Sequence, residues 1–250
     1  MSSTAPTAPA APDSPLARRI AELDLEALRT RFRDNDEFIA IPGFMPAAGL
    51  EPLLAALPAL EPRIHRNFIP GHKKGGSTSR YDLDAVAPAY PAFYNDPALL
   101  DFLRRLTGQD LKICPPDDPH TYALYYYTEP GDHIGWHYDT SYYKGSRYTI
   151  LLGLVDDSSC RLEWELHRED AGRETVHGGT ALSPGMLVVF NGDKLWHRVT
   201  PAAAGDRRVA LTLEYVTSHA MHPLRRFVSN MKDAIAYFGF RQVFARGARR

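Results

Sequence analysis

The second half of the chain is a succession of short apolar and aromatic runs separated by turn residues. Between residues 112 and 218 these runs are rich in β-branched residues and tyrosine, and Pro-Gly, Asp-Asp or Asn-Gly-Asp follows several of them. Runs of this kind predict short strands, and many strands at close spacing predict a sandwich or a barrel. We therefore expect a mainly β fold with flanking helices.

The first half of the chain has a different pattern. Residues 1–15 are rich in Pro, Ala, Ser and Thr, which predicts a disordered tail. The stretch HRNFIPGHKKGGSTSRYDLD is polar and rich in glycine, and it is predicted to be a loop. Helical periodicity dominates the rest, apart from a short strand at EFIAIPGF. We expect one domain at 16–250, composed of a mainly helical part at 16–111, the β core at 112–218 and a helical segment at 219–250.

Composition excludes some classes of function. The formal net charge of the 250 residues is −1, which gives no general footprint for nucleic acid. No apolar run approaches the roughly 20 residues that span a bilayer, so we expect no membrane partner. Two cysteines make no disulfide framework and the N-terminus has no signal-peptide pattern, which together predict a cytoplasmic protein. The oligomeric state stays open.

A candidate metal site begins at His137 and Asp139. About one His-x-acid triplet is expected by chance in a chain of this composition, and the chain has a second one at His167 and Glu169, so the triplet alone decides little. A site with two histidines and one carboxylate on one octahedral face needs a further histidine from another strand. The stretch SPGMLVVFNGDKLWHRVTP supplies His197 after a buried-looking strand and a polar turn.

With this ordered set the chain resembles the Fe(II)- and 2-oxoglutarate-dependent oxygenases of the prolyl 4-hydroxylase-like branch. The elements that carry the resemblance are YTEPGDHIGWHYD, PGMLVVFNGDKLWHRVTP and RVALT. It implies a double-stranded β-helix, or jelly roll, with Fe(II) held by His137, Asp139 and His197. It also implies a dioxygenase that uses 2-oxoglutarate and O2 to hydroxylate an unactivated C–H bond of its substrate.

The resemblance also implies contacts with the cosubstrate. In similar proteins an arginine stands directly before an apolar-Ala-apolar-Thr run, and this selects Arg208 rather than its neighbour Arg207 to bind the distal carboxylate of 2-oxoglutarate. Neighbours on a strand face opposite sides, so only one of the two can point inward. Tyr127, or Tyr125 on the same face, is the candidate for a second contact, although both could be ordinary strand aromatics.

The predicted substrate is a small molecule, and several residues are candidates for its contacts. Halogenases of this superfamily carry Gly or Ala in place of Asp139, so its carboxylate favours hydroxylation. A weaker resemblance to the stand-alone lysine-type halogenases and hydroxylases of free amino acids suggests a cationic free amino acid. Strand parity places Glu214 on the same face as Arg208, where it could bind the substrate cation. The further candidates are Thr212 beside Glu214, and Lys73, Lys74 and Arg80 for the substrate carboxylate.

Alternatives remain open at this stage. The substrate could be a peptide or another metabolite, or the chain could be a catalytically silent jelly-roll binding protein or a metal-dependent sensor. Glu214 could instead be exposed or paired with Arg225 or Arg226. The remaining histidines of interest are predicted to be surface or capping residues: His167, His177, His219 and His222.

Overall fold

The computed structural model describes residues 14–139 and 141–221. Helices concentrate before residue 108, and strands dominate after it. The α-helices are α1 (Pro15–Ala21), α2 (Leu25–Asp34), α3 (Ala47–Ala55), α4 (Leu57–Leu60), α5 (Arg80–Val86), α6 (Ala89–Tyr94) and α7 (Pro97–Thr107), and a 3-10 helix covers Glu61–Arg63. The strands are β1 (Phe38–Ile41), β2 (His65–Ile69), β3 (Lys73–Ser79), β4 (Lys112–Ile113), β5 (Tyr122–Tyr127), β6 (His133–His137), β7 (Arg147–Asp157), β8 (Leu162–Leu166), β9 (Val176–Thr180), β10 (Leu187–Asn191), β11 (Trp196–Val199) and β12 (Arg207–Val216).

The strands form one curled antiparallel sheet, which is the expected jelly-roll core. Its order is β1-β10-β7-β12-β5-β3-β6-β11-β8-β9, with β2 added to β3 and β4 added to β12. Strand neighbours in the sheet are far apart in the chain, as for β1 with β10 and β3 with β6. The prediction of a mainly β fold with flanking helices is confirmed.

The two faces of the sheet bury different residues, and β12 shows the division. Val209, Leu211 and Leu213 belong to the large core that also contains Phe32 of α2 and Phe102 of α7. The residues between them point to the inside of the curled sheet, where Ala210 joins a smaller core with Tyr127, Phe190 and Leu195. Alternation along one strand therefore separates the helix-packed face from the interior.

One stretch predicted as a loop is a hairpin. β2 and β3 pair along residues 65–69 and 73–77, and β3 inserts between β5 and β6. The glycines are needed for packing, because a Cβ on Gly76 would lie 2.7 Å from the side chain of Ile64 and 3.1 Å from that of Tyr126. Low strand propensity is overridden here by tertiary packing. The following YDLD lies in α5, where Ser79 caps the helix N-terminus.

Some predictions fall outside the described residues. These are the tail before Ser14 and the helical segment from residue 222 onward, including Arg225 and Arg226. The division of residues 16–250 into three parts of one domain stays a prediction. Within the described residues no helix has both the length and the apolar character that crossing a membrane requires.

Candidate active site

Two paired strands bring the predicted metal ligands together. His137 ends β6 and His197 lies in β11, and the two residues are direct partners in the antiparallel pairing. Their imidazole rings are 4.2 Å apart between centroids, and Asp139 follows two residues after His137. One ligating atom from each residue lies within 4.8 Å of the other two. In the described part of the chain, this is the cluster of His, Cys, Asp and Glu that could hold a metal ion.

Both histidines are oriented by backbone carbonyl groups. Nδ1 of His137 is 2.8 Å from the carbonyl oxygen of Gly135, and Nδ1 of His197 is 3.0 Å from that of Leu195. In the neutral tautomer that donates these bonds, Nε2 keeps its lone pair. Those Nε2 atoms lie 3.2 Å and 3.9 Å from the carboxylate oxygens of Asp139. The three side chains thus converge with their metal-binding atoms facing one another.

The backbone around Asp139 leaves no space for a side chain at Gly192. The Asp139 amide donates to the carbonyl oxygen of Gly192 at 2.9 Å. A Cβ on Gly192 would lie 2.8 Å from both Cβ and the carbonyl oxygen of Asp139. Any larger residue would therefore push the carboxylate away from the histidines. Gly192 belongs to the NGD turn that the sequence placed between two strands.

The charges of the three ligands suit a divalent cation. Burial alone would raise the pKa of Asp139, but His197, His137 and the Arg147 guanidinium together hold it well below its ordinary value. Burial, with the neighbouring His137, lowers the pKa of His197 to about 4. Burial opposes protonation of His137 too, but the bond to Asp139 raises its pKa. A carboxylate and a neutral His197 therefore suit a bound cation, and the cation competes with the proton that Asp139 favours on His137.

Arg208 is buried inside the curled sheet, and no ion pair of its guanidinium is found among the described residues. Its side chain is 1% exposed, whereas Arg207 is exposed, as alternation along β12 predicts. Its guanidinium stacks over the ring of Tyr127, 5.3 Å from the centroid, and Tyr127 is its partner across the β5–β12 pairing. Nε and Nη1 of Arg208 are buried and meet no hydrogen-bond acceptor among the described residues. An unpaired buried guanidinium is costly, so a bound carboxylate would complete it.

Several solved structures share the fold of this chain. SnoN, an epimerase from nogalamycin biosynthesis in complex with Fe3+, alpha ketoglutarate and nogalamycin RO, is 15% identical over 77% of this chain and 83% of its own, with a TM-score of 0.62. A Trichoplax adhaerens prolyl hydroxylase, bound to a hypoxia inducible factor peptide fragment, is 16% identical over 81% and 92%, also at 0.62. EctD from S. alaskensis, with 2-oxoglutarate and 5-hydroxyectoine, is 18% identical over 76% and 75%, at 0.56. The chain has the 2-oxoglutarate/Fe(II) oxygenase fold.

Sequence comparison adds one family to this oxygenase fold. A family model described as Halogenase D matches residues 23–144, just under half of the chain. The match includes His137 and Asp139 and ends before β11. No curated protein matches the chain in sequence.

The donor set of the oxygenase fold fits iron. Two imidazole nitrogens and one carboxylate are the ligands of the facial iron sites of oxygenases, which leave positions for other ligands. The buried, unpaired Arg208 fits a dicarboxylate cosubstrate. The cluster of His137, Asp139 and His197 can therefore hold Fe(II).

Lys73 and Tyr125 lie on the same inner surface. Lys73 is 1% exposed, and its Nζ lies 4.5 Å from the ring centroid of Tyr125. Its partner in β6 is Ile134, and its charge opposes protonation of His137. Lys73 is therefore the predicted substrate cation that the structure brings to the metal cluster.

Lys74 and Arg80 do not reach this surface, which corrects their prediction as substrate contacts. Lys74 points to the other face of β3, where its Nζ donates to the carbonyl oxygen of Pro130 at 2.7 Å. Arg80 lies in α5 and donates to the Asp118 carbonyl oxygen and the Thr121 hydroxyl. The sequence analysis had offered the three cations as alternative candidates from a predicted loop. In the hairpin, alternation along β3 separates Lys73 from Lys74.

Glu214 faces inward, as strand parity predicts, but a protein cation already binds it. Arg147 Nε donates to Glu214 Oε2 at 2.8 Å, and the two side chains are 13% and 5% exposed. The role of Glu214 as the partner of a substrate cation is therefore revised. The partner of Glu214 is Arg147, which lies near the site and which the sequence analysis did not identify. Burial raises the pKa of Glu214 to about 7, although Arg147 acts in the opposite direction.

Other residues of interest surround the site at different distances. Thr212 is half-buried on the inner face and lies opposite Leu151. His72 was not predicted, but its ring is 5.8 Å from that of His137, and its carbonyl oxygen accepts from the Gly135 amide at 2.6 Å. His72 was not predicted because it lies in the β2–β3 hairpin, which the sequence analysis treated as a loop. Three other histidines of interest lie outside the metal cluster: His167 is buried in a turn at φ 58°, His177 is exposed, and His219 contacts the Ile113 carbonyl group. His222 is not among the described residues.

Proposed function

We propose that the protein is an Fe(II)- and 2-oxoglutarate-dependent dioxygenase that hydroxylates an unactivated C–H bond of a small molecule. The observation that carries the proposal is the combination of the His137, Asp139 and His197 cluster with a buried Arg208 that lacks an anion. A metal cluster alone would also suit a sensor. A second, cationic site for a dicarboxylate beside it favours an oxygenase that consumes 2-oxoglutarate.

Each residue has a definite task in this proposal. The two histidines and Asp139 hold the metal, which when bound would activate O2 with electrons from 2-oxoglutarate. Arg208 binds the distal carboxylate of 2-oxoglutarate, and the ring of Tyr127 stacks against the guanidinium. The apolar interior around Tyr127 excludes water from the cosubstrate. The chain thus positions the metal and 2-oxoglutarate and excludes water from them, and it supplies no proton donor.

Asp139 favours hydroxylation over halogenation, although the matching family model is named for a halogenase. The carboxylate lies 3.2 Å from Nε2 of His137 and is held by its own backbone and by Thr149. It therefore occupies the place that a halide would need. Replacing Asp139 with Gly should remove hydroxylation. Weak chlorination by that variant in high chloride would support the relation to halogenases, whereas full hydroxylation would exclude Asp139 as a necessary ligand.

A free amino acid is our proposed substrate. The resemblance to the stand-alone lysine-type halogenases and hydroxylases of free amino acids supports it, and the structure of EctD with 5-hydroxyectoine shows that this fold can hold a small hydroxylated molecule. Lys73 is the described cation that can meet a substrate carboxylate near the metal cluster. The prolyl hydroxylase with a bound peptide keeps a peptidyl substrate as the second candidate. We also propose a reducing compartment such as the cytoplasm, where the buried thiols of Cys114 and Cys160 stay free.

The decisive experiment is an untargeted oxygenase assay. Purified protein is incubated with Fe(II), 2-oxoglutarate, O2 and a pool of free amino acids, and succinate and the substrate mass are measured. We expect succinate to form with the addition of one oxygen atom to one amino acid, and neither product from His137→Ala. Metal and 2-oxoglutarate binding without succinate, with amino acids or with a peptide pool, would instead indicate a silent binding protein or a sensor.

A further inference from the structure

Thr149 of β7 lies between the half-buried carboxylate of Asp139 and the buried carboxylate of Glu214. Its Oγ1 is 2.8 Å from Oδ2 of Asp139 and 3.1 Å from Oε2 of Glu214. Thr149 is 1% exposed and faces Glu214 directly across the β7–β12 pairing. A threonine that only filled the core would not need contacts with two acidic groups. Its position between a metal ligand and an ion pair therefore calls for a role of the hydroxyl group.

The hydroxyl proton can serve one of the two carboxylates at a time. A hydroxyl has one proton and two lone pairs, so it donates one bond. The shorter distance is to Asp139, and Glu214 already accepts from Nε of Arg147 at 2.8 Å. Donation to Asp139 Oδ2 is therefore the better use of the proton. The buried Arg147–Glu214 pair forms the wall behind Thr149 and limits its rotation.

The two oxygens of Asp139 are consequently different. Oδ2 is bound by Thr149, while Oδ1 lies 3.2 Å from Nε2 of His137. A carboxylate without the Thr149 bond could turn about its Cβ–Cγ bond, and it could then offer a metal both oxygens or neither. Groups that bond to metal ligands fix the orientation of those ligands and change metal affinity by about 10- to 100-fold.

We infer that Thr149 is a positioning residue that holds Asp139 in the orientation of a single-oxygen metal ligand, with Oδ1 toward His137. The inference rests on the proposed function, because it assumes that the cluster of His137, Asp139 and His197 holds a metal. Thr149 itself contacts neither metal nor substrate. Arg147 and Glu214 act one step farther away, by keeping the hydroxyl of Thr149 directed at Asp139.

The test uses Co(II) and does not depend on catalysis. Co(II) is titrated into the metal-free full-length protein, and its affinity and visible absorption spectrum are recorded for the wild type and for Thr149→Val, Thr149→Ala and Thr149→Ser. Thr78→Val is the matched control, because Thr78 is equally buried in a strand but donates to Tyr126 away from the cluster. Thermal unfolding of each variant shows that it is folded before titration.

We expect Thr149→Val and Thr149→Ala to bind Co(II) about 10-fold more weakly or worse and to change the spectrum of the bound ion. Thr149→Ser and Thr78→Val should stay within about 3-fold of the wild type with an unchanged spectrum. Folded Val and Ala variants with wild-type affinity and spectrum would overturn the role of Thr149. Absence of Co(II) binding in the wild type would overturn the proposed function instead, so the two failures are distinguishable.

Discussion

The two halves of the curled sheet support the site in different ways. β12, which carries Arg208, pairs with β5 and β7 along most of its length, and its outer face packs against the helices in the large core. β11, which carries His197, spans four residues and has a register shift after His197. Arg208 thus lies in strands backed by the helix-packed core, which we call the thick half (β5, β7 and β12). His137 and His197 lie on the pair of short strands that we call the thin half (β6 and β11).

The outer face of the thin half is covered by aromatic and cationic side chains. Trp196 stacks nearly parallel on Trp136, with centroids 6.3 Å apart, and Tyr138 packs against Trp196 at 4.8 Å. The guanidinium groups of Arg168 and Arg198 lie 4.9 Å from the rings of Trp196 and Trp136. These side chains alternate with His137 and His197 along β6 and β11. The difference suggests that metal binding stabilises the β6–β11 half more than the β12 half.

The largest expected effect comes from removing a ligand in the thin half. His137→Ala should abolish turnover and weaken binding of a divalent metal, because it removes one of three protein ligands. It should also abolish the stabilisation of β6 and β11 by metal, which hydrogen exchange with and without Mn(II) would measure. Near-normal oxygenase activity in this variant would show that the ligand assignment is wrong.

The next effect sharpens the contrast by targeting the thick half. Arg208→Gln should weaken 2-oxoglutarate binding by roughly 30-fold or more, since losing one partner of a buried charge pair costs about 2 kcal/mol or more. Metal affinity should change little. Arg207→Gln, one residue away and exposed, is the matched control and should leave both affinities unchanged. Calorimetric titration with 2-oxoglutarate measures them, and equal losses in the two variants would contradict the placement of the cosubstrate.

A smaller effect concerns Glu214 of β12, whose neighbour Thr149 also contacts Asp139. Its folded pKa is raised to about 7 from an ordinary 4.5, so its neutral form stabilises the fold at low pH and that contribution is lost as pH rises through 7. Relative to Glu214→Gln, the free energy of unfolding of the metal-free wild type should fall by on the order of 2 kcal/mol between pH 4.5 and 8. Denaturant unfolding across this range measures it.

The same variant tests the revised role of Glu214. If Arg147 is its partner, Glu214→Gln should leave the KM for an active amino acid within about 3-fold, since no substrate charge is lost. A large rise in KM for a cationic amino acid alone would restore the earlier hypothesis that Glu214 binds the substrate. A parallel pH profile of unfolding in wild type and variant would exclude titration of Glu214 in this range.

The smallest effect tests the outer face of the thin half. Trp196→Leu removes the stack on Trp136, the ring contact with Tyr138 and the cation–π contact with Arg168, and we take their combined loss as on the order of 1 to 2 kcal/mol. Amide exchange in β6 and β11 should accelerate about 5- to 30-fold, while exchange in β12 stays unchanged and serves as the internal control. Uniform acceleration along the whole sheet would show that the two halves unfold together and that their contrast has no energetic meaning.

The sequence predicted the parts of the site that depend on chain order and strand parity. His137, Asp139 and His197 stand in an order that one antiparallel pairing brings together. Alternation requires Arg207 and Arg208 to face opposite sides, and the resemblance of the RVALT run selected Arg208 as the inward one. It failed where packing overrides local preference. The glycines of β3 read as a loop, although they are small because Tyr126 and Ile64 leave no space for a Cβ.

Long-range charge pairs were equally out of reach. Arg147 begins the strand after the His-x-Asp motif. No local pattern links it to Glu214, which lies 67 residues later in the sequence. The partner of a buried carboxylate depends on sheet register, because cross-strand neighbours are set by pairing rather than by sequence distance. Once β7 is paired with β12, the contacts among Arg147, Thr149 and Glu214 follow directly.

The measurement that tests the central claim most directly is the affinity for 2-oxoglutarate with and without Mn(II) under anaerobic conditions. If the His137, Asp139 and His197 cluster and Arg208 hold one metal–cosubstrate unit, Mn(II) should raise that affinity at least about 10-fold in the wild type. His137→Ala should lose this increase but keep the weak metal-free binding through Arg208. Equal affinity with and without Mn(II) would contradict the account, because the two sites would then be independent.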